Sequence, residues 1–368
     1  MSLACGIIGL PNVGKSTLFN SITQRSLAKI SNYPFSTIQP HISVVAVPDE
    51  KLKTLAEVTG TDDITPTTVK FFDIAGLARG ASRGEGLGNQ FLDYIRKVNL
   101  LIHVVRCFSD ANVSHLNGSL NAVRDIETVN LELVLADLVL VEARLQKVRQ
   151  MLKERKKEVE KEEELLMEIK STLEEGRSPR QIKEENPELY SLSVILNLLS
   201  AKPVLYLANV NESEDEKAND HREGVRRIAS EEGAMAIFLP AKLEAELAEL
   251  SAEEAGRWRK EMGLSSRGLD ELIRASYSLL NLITFYTATA GKVRAWAIPM
   301  GTVAVVAAGK VHSDMEANFM RAEVISFANL VESGSTVAAR DNGLLRIEGP
   351  QYVVQDEDVI HFRFGKPR

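Results

Sequence analysis

At 368 residues the chain exceeds what one hydrophobic core usually serves, so two or three domains are expected. Its formal charge of −7 excludes wholesale electrostatic binding to nucleic acid or anionic lipid and confines any RNA contact to a local patch. No apolar run approaches the roughly 18 residues of a spanning helix, and the first motif starts too early for a charged-then-apolar leader. The expectation is a cytoplasmic protein without membrane contact.

The apolar run Leu3 to Ile8 reads as a buried strand, and Gly9-Leu10-Pro11-Asn12-Val13-Gly14-Lys15-Ser16-Thr17 follows it, leading into a helix from Lys15 to about Arg25. A G-x-x-x-x-G-K-[ST] string at a strand-to-helix junction is a P-loop. The glycines let backbone N–H groups turn inward on a triphosphate, and the helix points its positive end at the same charge. Asn12, Val13, Gly14, Lys15, Ser16 and Thr17 are therefore the expected nucleotide contacts. Lys15 reaches the outer phosphates and is the first catalytic candidate, while Ser16 is a magnesium ligand. Cys5 in this strand and Cys107 at the end of a later one suit small buried residues in a reducing compartment; redox sensing is the alternative.

The segment Asn32 to Pro40 holds two prolines and no helical period, and an alternating strand, Ile42 to Val47, follows it. A loop there has the position of a switch I, with Thr37 placed to close on magnesium, although a threonine in such a loop is also an ordinary turn residue. Thr68 to Leu77 is a strand ending in D-x-x-G: Asp73 can bind a magnesium-held water and the Gly76 N–H can reach a γ-phosphate. The motif is weak alone and takes its weight from lying at a strand end downstream of the P-loop. Glycines at 76, 80, 84, 86 and 88 predict a mobile switch II before a helix from Asn89 to Val98.

Asn99 to Cys107 reads as another buried strand, with His103 inside it as a structural residue, and a polar loop from Ser109 to Ser119 lies on the ligand side of such a sheet. That loop carries His115, the second catalytic candidate; a surface histidine without a role is the competing interpretation. From Ile126 the pattern becomes long helix. Leu138, Val141, Leu145, Val148, Leu152, Val159, Leu166, Ile169 and Leu173 fall on three- and four-residue steps, broken where Arg155 and Glu162 occupy the seam. This predicts one continuous arm ended by Gly176, with a returning helix from Ser178-Pro179 to Leu199, as an antiparallel coiled-coil hairpin inserted into the nucleotide domain. Its basic stretch, Arg144 to Lys157, is either a solvated face or a contact surface.

The strand Pro203 to Ala208 ends in Asn209-Val210-Asn211-Glu212. A helix, the strand Ala236 to Leu239, Pro240-Ala241-Lys242 and a helix ending near Leu282 follow it. That order is the order of a Ras-like G domain, and it makes Asn209, Val210, Glu212, Ala241 and Lys242 the candidates for contact with the base. Guanine-specific proteins end this strand in N-K-x-D, where a short carboxylate accepts from guanine N1–H and the 2-amino group. The extra methylene of Glu212 displaces its carboxylate by about 1.5 Å, and Val210 in place of lysine leaves an apolar wall suited to either purine. Guanine should lose its advantage. An Ala241 N–H aimed at the base pulls the other way, since it would meet guanine O6. After Leu282, short strands at Val293 to Ile298, Arg321 to Phe327, Leu344 to Glu348, Tyr352 to Val354 and Val359 to Phe364, around one helix from Val303, suit a small mixed domain of β-grasp type.

With these pieces assembled, the chain resembles the YchF or Obg-like ATPase family nearly end to end. The P-loop, Asn32-Tyr33-Pro34-Phe35-Ser36-Thr37-Ile38, Asp73-Ile74-Ala75-Gly76-Leu77 with the glycine-rich stretch after it, Asn209 to Glu212, and the closing Tyr352 to Phe364 all read as that family's. The resemblance implies an α/β fold: an Obg-type, Ras-like nucleotide domain with a helical insertion and a C-terminal TGS domain. It also implies ATP preferred over GTP and association with ribosomes. The domain boundaries expected are 1–125 with 201–281 for the nucleotide domain, 126–200 for the arm and 282–368 for TGS. Ser36-Thr37 replaces the family's two switch I threonines and keeps Thr37 as magnesium ligand; Pro240 departs from the serine of general G proteins. Asn12 is placed to support a potassium ion beside the magnesium, as in some related NTPases. The favoured function is a slow regulatory ATPase, monomeric, signalling through its switches to ribosomal RNA or protein by way of the TGS domain and the arm. The alternatives are a GTP-hydrolysing ribosome factor and a nucleotide-locked binding module without important turnover.

Overall fold

The structure, a computed structural model, describes residues 3–30, 41–74, 88–110, 113, 119–153, 160–211, 216–262, 268–289 and 291–365. Thr37, Gly76, His115 and Glu212, with the switch loops and residues 154–159 of the arm, lie outside the described residues. The chain forms two compact units: residues 3–30, 41–45 and 70–279 belong to one, residues 46–69 and 280–365 to the other.

In chain order the strands are β1 (Leu3–Ile8), β2 (Ile42–Ala46), β3 (Asp63–Thr65), β4 (Thr68–Asp73), β5 (Leu100–Cys107), β6 (Val204–Val210) and β7 (Met235–Leu239), followed by β8 (Leu282–Thr289), β9 (Lys292–Pro299), β10 (Phe319–Ser326), β11 (Arg346–Glu348) and β12 (Asp358–Phe364). The first unit is built on a sheet of order β2-β4-β1-β5-β6-β7. β1, β5, β6 and β7 pair in parallel. Parallel strands are covered on both faces and so read as unbroken apolar runs; every residue of β1, β5 and β6 is buried. The direction of winding reverses between β1 and β5, which is where ligands settle in open α/β sheets, and the glycine-rich loop leaves β1 at that point.

The helical insertion differs from its expected form. Helix Ala122–Lys153 packs against helix Glu160–Glu174, with Val141, Leu145 and Val148 sharing one core with Leu166, Ile169 and Leu173. Ion pairs Arg144–Glu162 at 2.6 Å, Arg149–Glu163 at 2.8 Å and Lys170–Glu142 at 2.9 Å fix an antiparallel register. The hairpin thus closes between Lys153 and Glu160 and not at Gly176. Gly176 does end the second helix, at φ 75° with its N–H on Leu173 O. In place of one returning helix there is a short 3-10 turn, Pro179–Ile182, and a helix Pro187–Ile195 whose Asn186 cap accepts from Leu189 N. Pro187 suits a first helical turn but cannot sit inside a helix that began at Ser178.

The arm is rooted by buried polar groups. Asp137 accepts from Leu199 N, Ser200 N and Ser200 Oγ at 2.9, 2.7 and 2.6 Å. Arg180 pairs with Glu232 at 2.9 Å, and Tyr206 and Asn130 donate to the same carboxylate. Lys202 donates to the carbonyls of Arg96 and Val98 at the end of helix Gly88–Lys97.

The second unit is a mixed sheet of order β11-β10-β12-β8-β9-β3. β8 and β9 form a full antiparallel hairpin, and β12 lies parallel to β8. One face packs Phe285, Val324 and Phe362 under helix Ala304–Val311; the other packs Tyr286, Val293 and Ile325 against Leu52 and Leu55 of helix Glu50–Thr59. Residues 46–69, expected within segment 1–125, therefore build this unit, because the apolar face of that helix is covered here. β8 and three further helices were not expected, and Tyr352–Val354 supplies only an isolated bridge, Val303 to Val353.

Candidate functional site

The loop after β1 runs too close to neighbouring backbone and side chains for a side chain at either glycine. Gly9 has φ 144°, and a Cβ there would lie 2.4 Å from Val104 O; at Gly14, φ 99°, it would lie 2.3 Å from Asn209 Nδ2. Asn12 also adopts positive φ, 62°, which asparagine tolerates better than most residues. Helix Lys15–Ile30 begins directly after Gly14, so its free N–H groups open on the loop. It runs beyond the expected end at Arg25 because Ser26 to Ile30 contains no glycine or proline.

Lys15 is 8% exposed and its ammonium donates to Gly9 O at 3.0 Å and Leu10 O at 2.6 Å. Burial lowers its pKa to about 8, against the opposing charge of Asp73. Asp73 ends β4 with its own N–H on His41 O, and burial raises its carboxyl pKa while Lys15 and His41 oppose that. Cation and carboxylate thus share one partly dry site. Ser16 is exposed at the first turn, Thr17 half-buried and Val13 buried. Among the described residues no group of three or more His, Cys, Asp or Glu could hold a metal. The donors present, a hydroxyl at Ser16 and one carboxylate at Asp73, are hard oxygens that suit magnesium when phosphates complete the shell.

Asn209 joins three segments with one amide. Its Nδ2 donates to Val13 O at 3.0 Å, and its Oδ1 accepts from Ala241 N at 3.0 Å. The Ala241 N–H that would favour guanine is therefore engaged within the protein. Val210 and Ala241 are buried and Lys242 is exposed.

One contributor was missed from the sequence. Arg106, next to last in β5 and opposite Asn209, is 5% exposed and donates to the carbonyls of Phe108, Asp110 and Val113, holding the start of the ligand-side loop. An arginine inside a buried strand whose other residues, His103 apart, are apolar was the available signal.

The family described as a 50S ribosome-binding GTPase matches residues 4–169, and YchF-GTPase_C, described as a protein of unknown function, matches residues 282–365. The ribosome-binding ATPase YchF of Bacillus subtilis is 47% identical over 367 residues, covering 99% of this chain and 100% of its own. The chain belongs to the YchF family. YchF of Escherichia coli O157:H7, also named a ribosome-binding ATPase, is 44% identical over 365 residues, with 99% and 100% covered. The solved structure of the Schizosaccharomyces pombe YchF GTPase superposes with a TM-score of 0.86 at 33% identity, covering 98% of each chain. The α/β fold with a P-loop G domain is thus that of YchF. The relatives' names divide on the nucleotide, the bacterial ones carrying ATPase and the yeast one GTPase.

Proposed function

We propose that this chain is a magnesium-dependent ATPase of slow intrinsic turnover that acts at the ribosome and reports its nucleotide state through its switch loops. The observation that carries the nucleotide assignment is the loop after β1, where two glycines leave no space for a Cβ and the Lys15 ammonium lies buried beneath. That ammonium donates to loop carbonyls, and a triphosphate would offer it stronger, charged acceptors. Backbone N–H groups from Asn12 to Thr17 and Gly76 would bind phosphate oxygens; Ser16, Thr37 and Asp73 would hold magnesium, which when bound neutralises charge on the outer phosphates. Asn209, Val210, Glu212, Ala241 and Lys242 would form the base site. The engaged Ala241 N–H and the long Glu212 side chain both favour adenine over guanine.

Slow turnover follows from Leu77, which stands where Ras-type G proteins place a water-orienting glutamine and has no polar atom. His115 is the proposed substitute. Partner-stimulated turnover that survives His115→Ala would remove it from this role, and equal turnover in sodium and potassium would dispose of a potassium ion at Asn12. The second unit is assigned as a TGS domain and, with the arm, as the ribosome-facing part of a cytoplasmic monomer. The arm is the weaker contact, because Arg144 and Arg149 are already paired with Glu162 and Glu163. Lys15→Ala tests the whole: the folded variant is expected to lose ATP binding, and parental affinity would refute the P-loop assignment.

A guanosine reading has its own support in the yeast relative, which is named a GTPase. Titration of the parent with both nucleotides separates the two.

A further inference from the structure

Toward the start of β10 and the end of β12, the sheet face that packs on Leu52 and Leu55 turns from apolar to cationic. The antiparallel register sets Ile325 opposite Val359, Glu323 opposite His361 and Arg321 opposite Arg363. Like charges facing across a strand pair are destabilising, so two arginines there need an explanation. Glu323 supplies part of it. Its side chain is only 7% exposed, and both its oxygens are taken by Arg363 at 3.0 and 3.1 Å. Arg321 meets the same carboxylate with one nitrogen at 3.3 Å, and Arg340, from helix Thr336–Asp341, approaches it at 3.8 Å. Three guanidinium charges on one carboxylate leave two in excess within the cluster. His361 does not add to them at neutral pH, because burial and then Arg363 lower its pKa.

One arginine would have satisfied Glu323. Arg321 and Arg340 instead keep most of their N–H fork in solvent, with side chains 52% and 58% exposed. Other cations of this unit are differently placed: Lys292 pairs with Asp63, and Arg346 with Glu348 and Asp358. We propose that Arg321 and Arg340, held side by side by Glu323, are a docking site for the phosphodiester backbone of ribosomal RNA; this rests on the ribosome assignment above. A guanidinium fork matches paired phosphate oxygens. No Phe, Tyr or Trp belongs to this cluster and the His361 imidazole lies opposite Glu323 in the strand pair, so recognition is of backbone and not of sequence. A protein partner would need a continuous apolar centre, whereas the exposed apolar side chains here, Ile347 opposite Glu323 and Val337 one helical turn before Arg340, are interspersed with the charges.

The test is salt dependence in the full chain, with intact ribosomes and with deproteinised ribosomal RNA as separate probes. Each phosphate contact contributes about 0.7–0.9 to the slope of log affinity against log salt. The double variant Arg321→Gln, Arg340→Gln is expected to lower that slope by about 1.4–1.8 on both probes, with basal ATP turnover and melting temperature unchanged. Arg363 is left intact, because removing it would strand Glu323. The paired surface arginines Arg226 and Arg257, replaced together by Gln, serve as control and should leave the slope unaltered. An unchanged slope in the Arg321, Arg340 variant overturns the proposal. Ribosome binding weakened by the variant, with no binding of naked RNA by the parent, overturns it in favour of a protein partner. Absence of ribosome binding by the parent at every salt concentration refutes the ribosome assignment itself.

Discussion

Asn209 spends both ends of its amide on positioning: one fixes the Val13 carbonyl, the other the Ala241 N–H. Asn209→Ala orphans two buried backbone groups at about 1–3 kcal/mol each, so magnesium–ATP affinity in a titration is expected to fall by about tenfold or more while the melting curve stays cooperative. Gly14→Ala should do at least as much, since its methyl would meet that amide at 2.3 Å on a backbone at φ 99°. The cysteines show the opposite case, chemistry withheld. Burial pushes the Cys5 and Cys107 thiols up to about 12 from a usual 9.0. The folded chain thus keeps protons that the unfolded chain releases. The stability this gives is intact below about pH 9 and is lost as pH climbs toward 12. Alkylation by iodoacetamide at pH 8 should proceed only as fast as the protein opens; rapid native labelling would restore a redox role. That Lys15 and Asp73 come together was legible because a P-loop and a strand-end D-x-x-G call for those residue types beside one another. Arg106 was passed over because its work is done on carbonyls of its own loop, so that only its place inside a buried strand, and no motif, pointed to it.

The arm separates what periodicity shows from what it hides. Seam residues from Leu138 to Leu173 were found by their spacing, but a turn that preserves the phase leaves no mark on a hydrophobic repeat, so two helices read as one. Glu162, one of the two breaks in the seam, is an ion-pair partner of Arg144 across the hairpin. The same geometry ranks the contributions. Ile169→Ala, in the buried seam, is expected to lower unfolding stability by about 2–5 kcal/mol, whereas Arg144→Ala removes a half-exposed pair worth at most about 1 kcal/mol. Denaturant midpoints that reversed this order would contradict the packing described. Short polar β3 could not be found from sequence, since three residues carry too little alternation; β9 supplies its partner in parallel register.

The chain leaves the first unit after β2, builds helix Glu50–Thr59 and β3 in the second, and returns in β4. A segment between the two loops proposed as switches is thus part of the C-terminal unit. Truncation after residue 281 should accordingly expose Leu52, Leu55 and Val58 and give an aggregating or protease-sensitive product, in contrast to a clean nucleotide domain. Limited proteolysis of the truncated chain checks this, and a soluble, resistant fragment would speak against it. Ribosome binding therefore has to be dissected with point variants in the intact chain. At the scale of the whole molecule, the central proposal is that this member of the YchF family prefers adenine nucleotide. The most direct test is an equilibrium titration of the full chain with magnesium–ATP and magnesium–GTP, alone and in the variant Val210→Lys, Glu212→Asp. ATP is expected to bind the parent more tightly, with the ratio moving toward GTP in the variant. A parental affinity for GTP about tenfold above that for ATP, unaltered by the substitutions, would contradict it.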